Sequence, residues 1–288
     1  MLRNRWWQLA GSLALGTTTV FGVLPGPGHQ SVQDARLTAQ TVSVHVPATA
    51  GAAAAQGWAH GSDTMLPGPA AQGAAAPGLA NATATTSENW SGYAATGGQF
   101  TSVSAAWTQP AVTCTAQDTF SSFWVGLDGD GTQTVEQTGT EADCASGTAA
   151  YSGWYEMFPA NPVNYSNPVQ PGDAMSASVT TSGNGTFTLT LTDQTQGWNQ
   201  VTTQTSASAQ LGSAEVIAEA PSSTTGVLPL SNFGTVNFTA ATANGAPIGN
   251  SANLSELTMV SAGGATEATP SALTGGNAFS VAWDSSGS

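Results

Sequence analysis

Apolar and polar residues alternate along much of the chain beyond residue 88. Val103, Ala105 and Trp107 are spaced by small residues, and Phe187, Leu189 and Leu191 by threonines. A period of two puts successive side chains on opposite faces, so these runs predict half-buried β-strands. The second run follows Asn184-Gly185, a strong hairpin-turn signal, and Met175, Ala177 and Val179 form the strand before it. Similar short runs occur at 123–127, 149–158, 233–238, 254–260 and 279–283, separated by clusters of Gly, Pro, Asn and Ser. No 3.6-residue period persists long enough to predict a helix. The expectation is an all-β fold, a two-sheet antiparallel β-sandwich. The long, even spread of strands suits a jelly-roll or lectin-like sandwich better than a small immunoglobulin unit.

The first 85 residues differ in texture. Arg3 and Arg5 precede an apolar stretch from about Leu9 to Leu24, short for a membrane span and flanked as a secretory signal is. Residues 1–25 are therefore expected to be a signal peptide. Residues 26–85 are rich in Ala, Gly, Pro, Thr and Gln and hold few large apolar side chains, so they read as a pro-region or disordered linker. Within them Val42, Val44 and Val46 could form one strand. Residues 86–288 are expected to form one domain, large enough for a sizeable core.

Charge then narrows the chemistry. The chain has three basic side chains, Arg3, Arg5 and Arg36, three histidines, His29, His45 and His60, and a formal net charge of −14. From residue 61 onward there is no Lys, Arg or His. Such a surface cannot neutralise phosphates, which argues against nucleic acid and anionic membrane as partners. Ser-His-Asp and Cys-His mechanisms lack their imidazole, and zinc lacks its usual ligands. Cys114 and Cys144 are the only cysteines, and in an exported protein they are expected to form one disulfide. Carboxylates remain for acid–base work, assisted by neutral donors. Either a carboxylate enzyme or a non-catalytic binder fits.

Two segments carry candidate chemistry. One runs from Trp124-Val125-Gly126-Leu127-Asp128-Gly129-Asp130 through Glu136-Gln137-Thr138-Gly139 to Trp154-Tyr155-Glu156-Met157-Phe158-Pro159. The other is Ala214-Glu215-Val216-Ile217-Ala218-Glu219. On a strand Glu215 and Glu219 share a face about 13 Å apart, too far to act on one bond, so Glu219 needs a partner from elsewhere. Glu136 and Glu215 are expected on solvated faces. Asp128 and Asp130 without a full ligand loop are a weak calcium signal, and no metal or cofactor is expected.

These segments, in order, resemble the glutamic peptidases (eqolisins). The family has a Trp-Val-Gly-Ile-Asp-Gly-Asp stretch, matched at 124–130 with Leu127 for Ile, and a Gln-Thr-Gly motif, matched at Gln137-Thr138-Gly139. Its Trp-Tyr-Glu-x-x-Pro motif matches 154–159, and its Ala-Glu-x-Ile-x-Glu strand ends here on Glu219. Asn89-Trp90-Ser91-Gly92 matches the opening of the family domain, and 233–238 a late Phe-Gly/Ser-x-Val-x-Phe strand. The resemblance implies a concanavalin-like sandwich. It also implies a catalytic pair of Gln137 and Glu219, with Trp124, Asp128 and Glu156 lining the substrate site. Two departures stand out: Ser152 replaces an Asp frequent in the family, and the segment before the domain has only Arg36, His29, His45 and His60 where family pro-regions are rich in basic residues.

Residues and resemblance together predict a secreted acid endopeptidase, monomeric and acting on polypeptides. Ionised Glu219 would be the general base and Gln137 the oxyanion donor. The competing expectation is a carbohydrate-active sandwich. A glycosidase could draw its two carboxyls from Glu156 and Glu219, whereas a lectin-like module would need neither Gln137 nor Glu219.

Overall fold

The structure, a computed structural model, describes the backbone of Trp58–Ala59 and residues 82–287. The expected signal peptide, the alternating valines at 42–46 and most of the expected pro-region lie outside the described residues. In chain order the strands are β1 (Trp58–Ala59), β2 (Ala82–Ser87), β3 (Trp90–Thr96), β4 (Ser102–Thr108), β5 (Ser122–Leu127) and β6 (Val135–Ala145). Then come β7 (Thr148–Phe158), β8 (Val163–Asn164), β9 (Ala174–Thr181), β10 (Thr186–Asp193), β11 (Trp198–Thr205) and β12 (Ser213–Glu219). A short hairpin, β13 (Ser222–Ser223) and β14 (Gly226–Val227), leads to β15 (Thr235–Ala243) and β16 (Ala246–Pro247). The last are β17 (Asn253–Val260), β18 (Thr266–Pro270) and β19 (Phe279–Trp283). The sole helical turn among the described residues is 3-10, at Ile248–Asn250.

The fold is all-β, as the alternation predicts. Its two layers come from one continuous sheet rather than two separate ones, with the order β11-β10-β9-β4-β15-β19-β18-β17-β3-β12-β5-β6-β7-β8. That path turns over on itself, bringing β5, β6 and β12 against β4, β9, β10 and β15. Pairing is antiparallel except for β2, which runs parallel to β17. β2 crosses the expected domain boundary at residue 86.

Strands β4, β9 and β10 show the half-buried alternation read from the sequence. Val103, Ala105, Trp107, Val179, Phe187, Leu189 and Leu191 face a core shared with Tyr93, Phe123, Val125, Val216, Phe238 and Val281. Strands β5 and β12 are buried at every position, and β6 at every position but its last. Their second face carries a separate apolar group of Trp90, Ala94, Trp124, Val135, Trp154, Ile217 and Leu257.

Burial on both faces corrects one expectation. Glu136 and Glu215 are fully buried, not solvated. Alternation marks which side a residue takes, but not whether that side meets water. Glu141, Asp143 and Glu267 are also buried, and residues 82–287 contain no cation to pair with any of them. Burial, with the nearby Asp128 charge working in the same direction, raises the Glu136 carboxyl to about 7. Burial likewise raises Glu267 to about 7 and Glu141 to about 8, and lifts Asp143 and Glu215 well above the usual carboxylate range.

Cys114 and Cys144 form the expected disulfide, 30 residues apart, tying the chain before β5 to the end of β6. Closing a loop of that length restricts the unfolded chain by about 3–4 kcal/mol in the chain-entropy account. Replacing both cysteines with serine should lower the unfolding free energy by roughly that amount in urea titrations at acid pH.

The buried carboxyls generate a second prediction. Each binds its proton more tightly in the folded chain than in the unfolded one, where glutamate titrates near 4.5. Their contribution is therefore complete at low pH and is lost as pH rises toward the folded values of about 7 and 8. The urea midpoint should fall steadily across that window, and a midpoint that climbed from pH 5 to 8 would contradict it.

Candidate active site

Register determines which side chains meet on the second face. Glu219 of β12 lies between Trp90 of β3 and Ser122 of β5, and Ser122 pairs onward to Glu141 of β6 and Ser152 of β7. Two residues along, Ile217, Trp124, Gly139 and Trp154 make the next row. Two further on, Glu215, Gly126, Gln137 and Glu156 make the third. Cross-strand partners share a face, so Glu219, Trp124, Gln137 and Glu156 all belong to one surface. It is polar at both ends with a tryptophan row between.

Glu219 is held by three donors. The Trp124 indole N–H donates to its Oε2 at 2.7 Å, and the Ser122 hydroxyl reaches the same oxygen at 3.4 Å. The Asn89 amide donates to Oε1 at 3.5 Å. Asn89 is oriented in turn by the Ser87 hydroxyl, 3.1 Å from its Oδ1, and the same hydroxyl accepts the Trp90 backbone N–H at 3.1 Å. Trp90 packs edge-on against Trp124, ring centroids 5.0 Å apart, which fixes the indole that holds Glu219.

Gln137 lies diagonally across β5 from Glu219. Its Nε2 donates to Glu156 Oε2 at 3.0 Å. A side chain at Gly126 would come within 2.9 Å of the Trp124 ring and 3.2 Å of Gln137 Cβ. The glycine thus leaves the floor low between them. On an untwisted sheet the Cα atoms of Gln137 and Glu219 would be about 16 Å apart, from two strand spacings and four residues of rise. Both side chains project from the same face of the sheet, on either side of the Trp124 row.

Asp128 acts differently from its neighbours. Its carboxylate accepts the backbone N–H groups of Gln210, Leu211 and Gly212 at 2.8, 2.9 and 2.7 Å. It sits at φ 65°, where the backbone leaves β5. Its oxygens are committed to the turn that starts β12, so it sets the register of Glu219 from the opposite end of that strand. The same commitment leaves them ill placed to ligate calcium.

Asn89 and Ser122 are contacts of Glu219 that sequence reasoning missed. Asn89 was legible only as the first residue of the Asn-Trp-Ser-Gly opening, and Ser122 carried no signal. Ser152, where the family often has Asp, donates to Glu141 Oε2 at 2.9 Å. In this chain the carboxyl at that cross-strand position is supplied by β6 and the hydroxyl by β7. Glu215 occupies the Gln137 row, where burial raises its pKa well above the usual carboxylate range and the Ser213 hydroxyl and Asp130 backbone N–H oppose that rise.

Comparison with known proteins follows the same residues. The chain is 28% identical over 193 residues to aspergillopepsin-2 of Aspergillus niger, covering 57% of this chain and 68% of that protein. It is 33% identical over 116 residues to scytalidopepsin B of Scytalidium lignicola, covering 40% of this chain and 43% of that protein. The fold matches a crystal structure of scytalidoglutamic peptidase bearing a peptide-based transition-state analog. The TM-score is 0.59 and the identity 24%, over 68% of this chain and 98% of that one. Aspergilloglutamic peptidase from Aspergillus niger matches with a TM-score of 0.50 at 25% identity, over 57% of this chain and 99% of that one. The Peptidase A4 family matches residues 88–283, from the turn before β3 to the end of β19, and the chain belongs to that family, the glutamic peptidases (eqolisins).

Proposed function

We propose that this chain is a secreted acid endopeptidase in which Glu219 is the general base and Gln137 the oxyanion donor. The observation that carries this reading is their placement on one sheet face, either side of Trp124, with the Trp124 N–H on the Glu219 carboxylate. Three donors hold that carboxylate in one orientation toward the space before Gln137. Ionised Glu219 takes a proton from a water as the water oxygen attacks the scissile carbonyl carbon. The Gln137 NH2 has two hydrogens. Glu156 holds that amide in place, and the amide N–H meets the oxyanion as it forms. Glu219 then gives its proton to the departing amine as the C–N bond breaks, releasing an acid and an amine and leaving the base ionised.

Glu156 is a positioning residue in this scheme, since its hydrogen bond fixes which way the amide points. Trp124 and Trp154 offer apolar floor to substrate side chains beside the scissile bond, and Asp128 acts through the β12 turn. The peptide-based transition-state analog bound to scytalidoglutamic peptidase supports polypeptides as the substrate class. Export of a monomer rests on the signal-like N-terminus. Among the described residues no helix is long and apolar enough to cross a membrane. Because β2 pairs along β17, processing is expected on the N-terminal side of Ala82.

Glu219→Gln keeps size and polarity but cannot accept the water proton, so peptide hydrolysis should fall to background. Gln137→Ala should lower kcat by about two orders of magnitude or more, the usual effect of losing one oxyanion donor. Full activity in Gln137→Ala would end the assignment. Glu215→Gln copies the protonated acid that burial enforces, so it should keep most activity and flatten the loss of stability toward neutral pH. Hydrolysis of unfolded casein should be confined to acid solution, where the buried carboxyls keep their protons, and an optimum near pH 7 in a protein shown folded by circular dichroism would contradict the acid-endopeptidase reading.

A further inference from the structure

The hairpin of β13 and β14 begins three residues beyond Glu219. Its base is fixed to the site. The Ala220 N–H donates to the Asn89 carbonyl at 2.9 Å, Leu228 to Pro221 at 2.9 Å and Phe120 to Pro229 at 2.9 Å. Within the hairpin Ser222 pairs with Val227 and Ser223 with Gly226. The other edge of β13 is also taken. Trp58 pairs antiparallel with Ser223 and Ala59 with Ser222, making a three-stranded sheet separate from the large one. The segment seated there comes from far upstream, inside the stretch expected to be lost on processing.

A strand edge recognises main chain, whatever the side chains, because the bonds it offers are to backbone N–H and C=O groups. Three residues of strand separate Ser222 from Glu219, about 10 Å. An extended peptide paired with β13 would therefore present a bond to Glu219 within three or four residues of the pairing.

We infer that the outer edge of Ser222–Ser223 is a docking strand for the main chain of a polypeptide substrate, and that Trp58–Ala59 occupies it in the uncut chain. This rests on the peptidase reading of the site. Strand pairing suits a segment with only Arg36, His29, His45 and His60 as basic groups, since it needs no charge to recognise an acidic domain. It also explains how one surface can accept both the chain's own segment and substrates of varied sequence. Removal of the upstream segment opens the edge to other chains.

The test is residue-resolved amide exchange on the full-length chain carrying Glu219→Gln, which prevents self-cleavage. Backbone amides bonded across the β1–β13 pair should exchange at least about tenfold more slowly than those of Thr224 and Thr225 at the hairpin tip. Replacing Trp58 and Ala59 together with proline removes the upstream donor and should abolish protection of the amide in Ser222–Ser223 that faces β1, while leaving β12 protected. Adding an uncleaved polypeptide, such as unfolded casein, to the proline variant should restore it. Unprotected exchange at all of residues 58, 59, 222 and 223 in the parent chain would overturn the seating of the segment, even if the proline variant failed to fold. Loss of protection in the proline variant without recovery on adding polypeptide would overturn the substrate role. These readouts do not depend on turnover, so a chain that docked peptide on this edge yet never cleaved it would defeat the peptidase reading and leave this one standing.

Discussion

A carboxyl taken out of water must be neutralised by a proton, paired with a cation or surrounded by donors, because an isolated buried charge is too costly to keep. Residues 82–287 contain no cation, so only the proton and the donor remain, and the domain uses both. Asp128 takes three backbone N–H groups and Glu219 takes an indole, an amide and a hydroxyl. Glu215, Glu136, Glu141, Asp143 and Glu267 keep their protons, since burial raises each of them. The division separates carboxyls held by several hydrogen-bond donors from carboxyls whose raised pKa lets them pack as neutral acids. It also makes acid solution the medium in which the whole structure is consistent.

The second face of β5, β6 and β12 brings this constraint and the chemistry together. A three-row lattice puts a polar row, a tryptophan row and a second polar row side by side. Trp124 links them, packing against Trp90 while its N–H holds Glu219. The same indole separates the proposed base from the proposed oxyanion donor, so one residue sets both the orientation of Glu219 and its distance from Gln137. Asp128 contributes from outside the face by fixing the turn that feeds β12. A one-residue slip of β12 would send Glu219 to the core side, since strand faces alternate with every residue.

Much of this was legible in the sequence. Period-two alternation in β4, β9 and β10, the Asn184-Gly185 turn and the missing helical period specify an all-β sandwich, because each strand there has one dry face and one wet one. The absence of histidine and lysine from residue 61 onward leaves carboxylate chemistry almost alone. The ordered motifs from Asn89 to Phe238 single out Gln137 and Glu219 together, and the two cysteines could only pair with one another.

The rest needed tertiary structure. Glu136 and Glu215 look solvated in the sequence, because alternation records sides and not what covers them. Both faces of their strands are buried only once the sheet has bent over on itself. Ser122 and Asn89 reach Glu219 through pairings across 97 and 130 residues, separations that no local pattern encodes. Asp128 reads as a lining residue by motif, yet its oxygens are occupied by a loop more than 80 residues away. Local sequence sets which way a side chain points along its own strand. Which strand lies beside it is decided only when the whole sheet closes, and that choice makes a neutral buried acid of one glutamate and a hydrogen-bonded carboxylate of another.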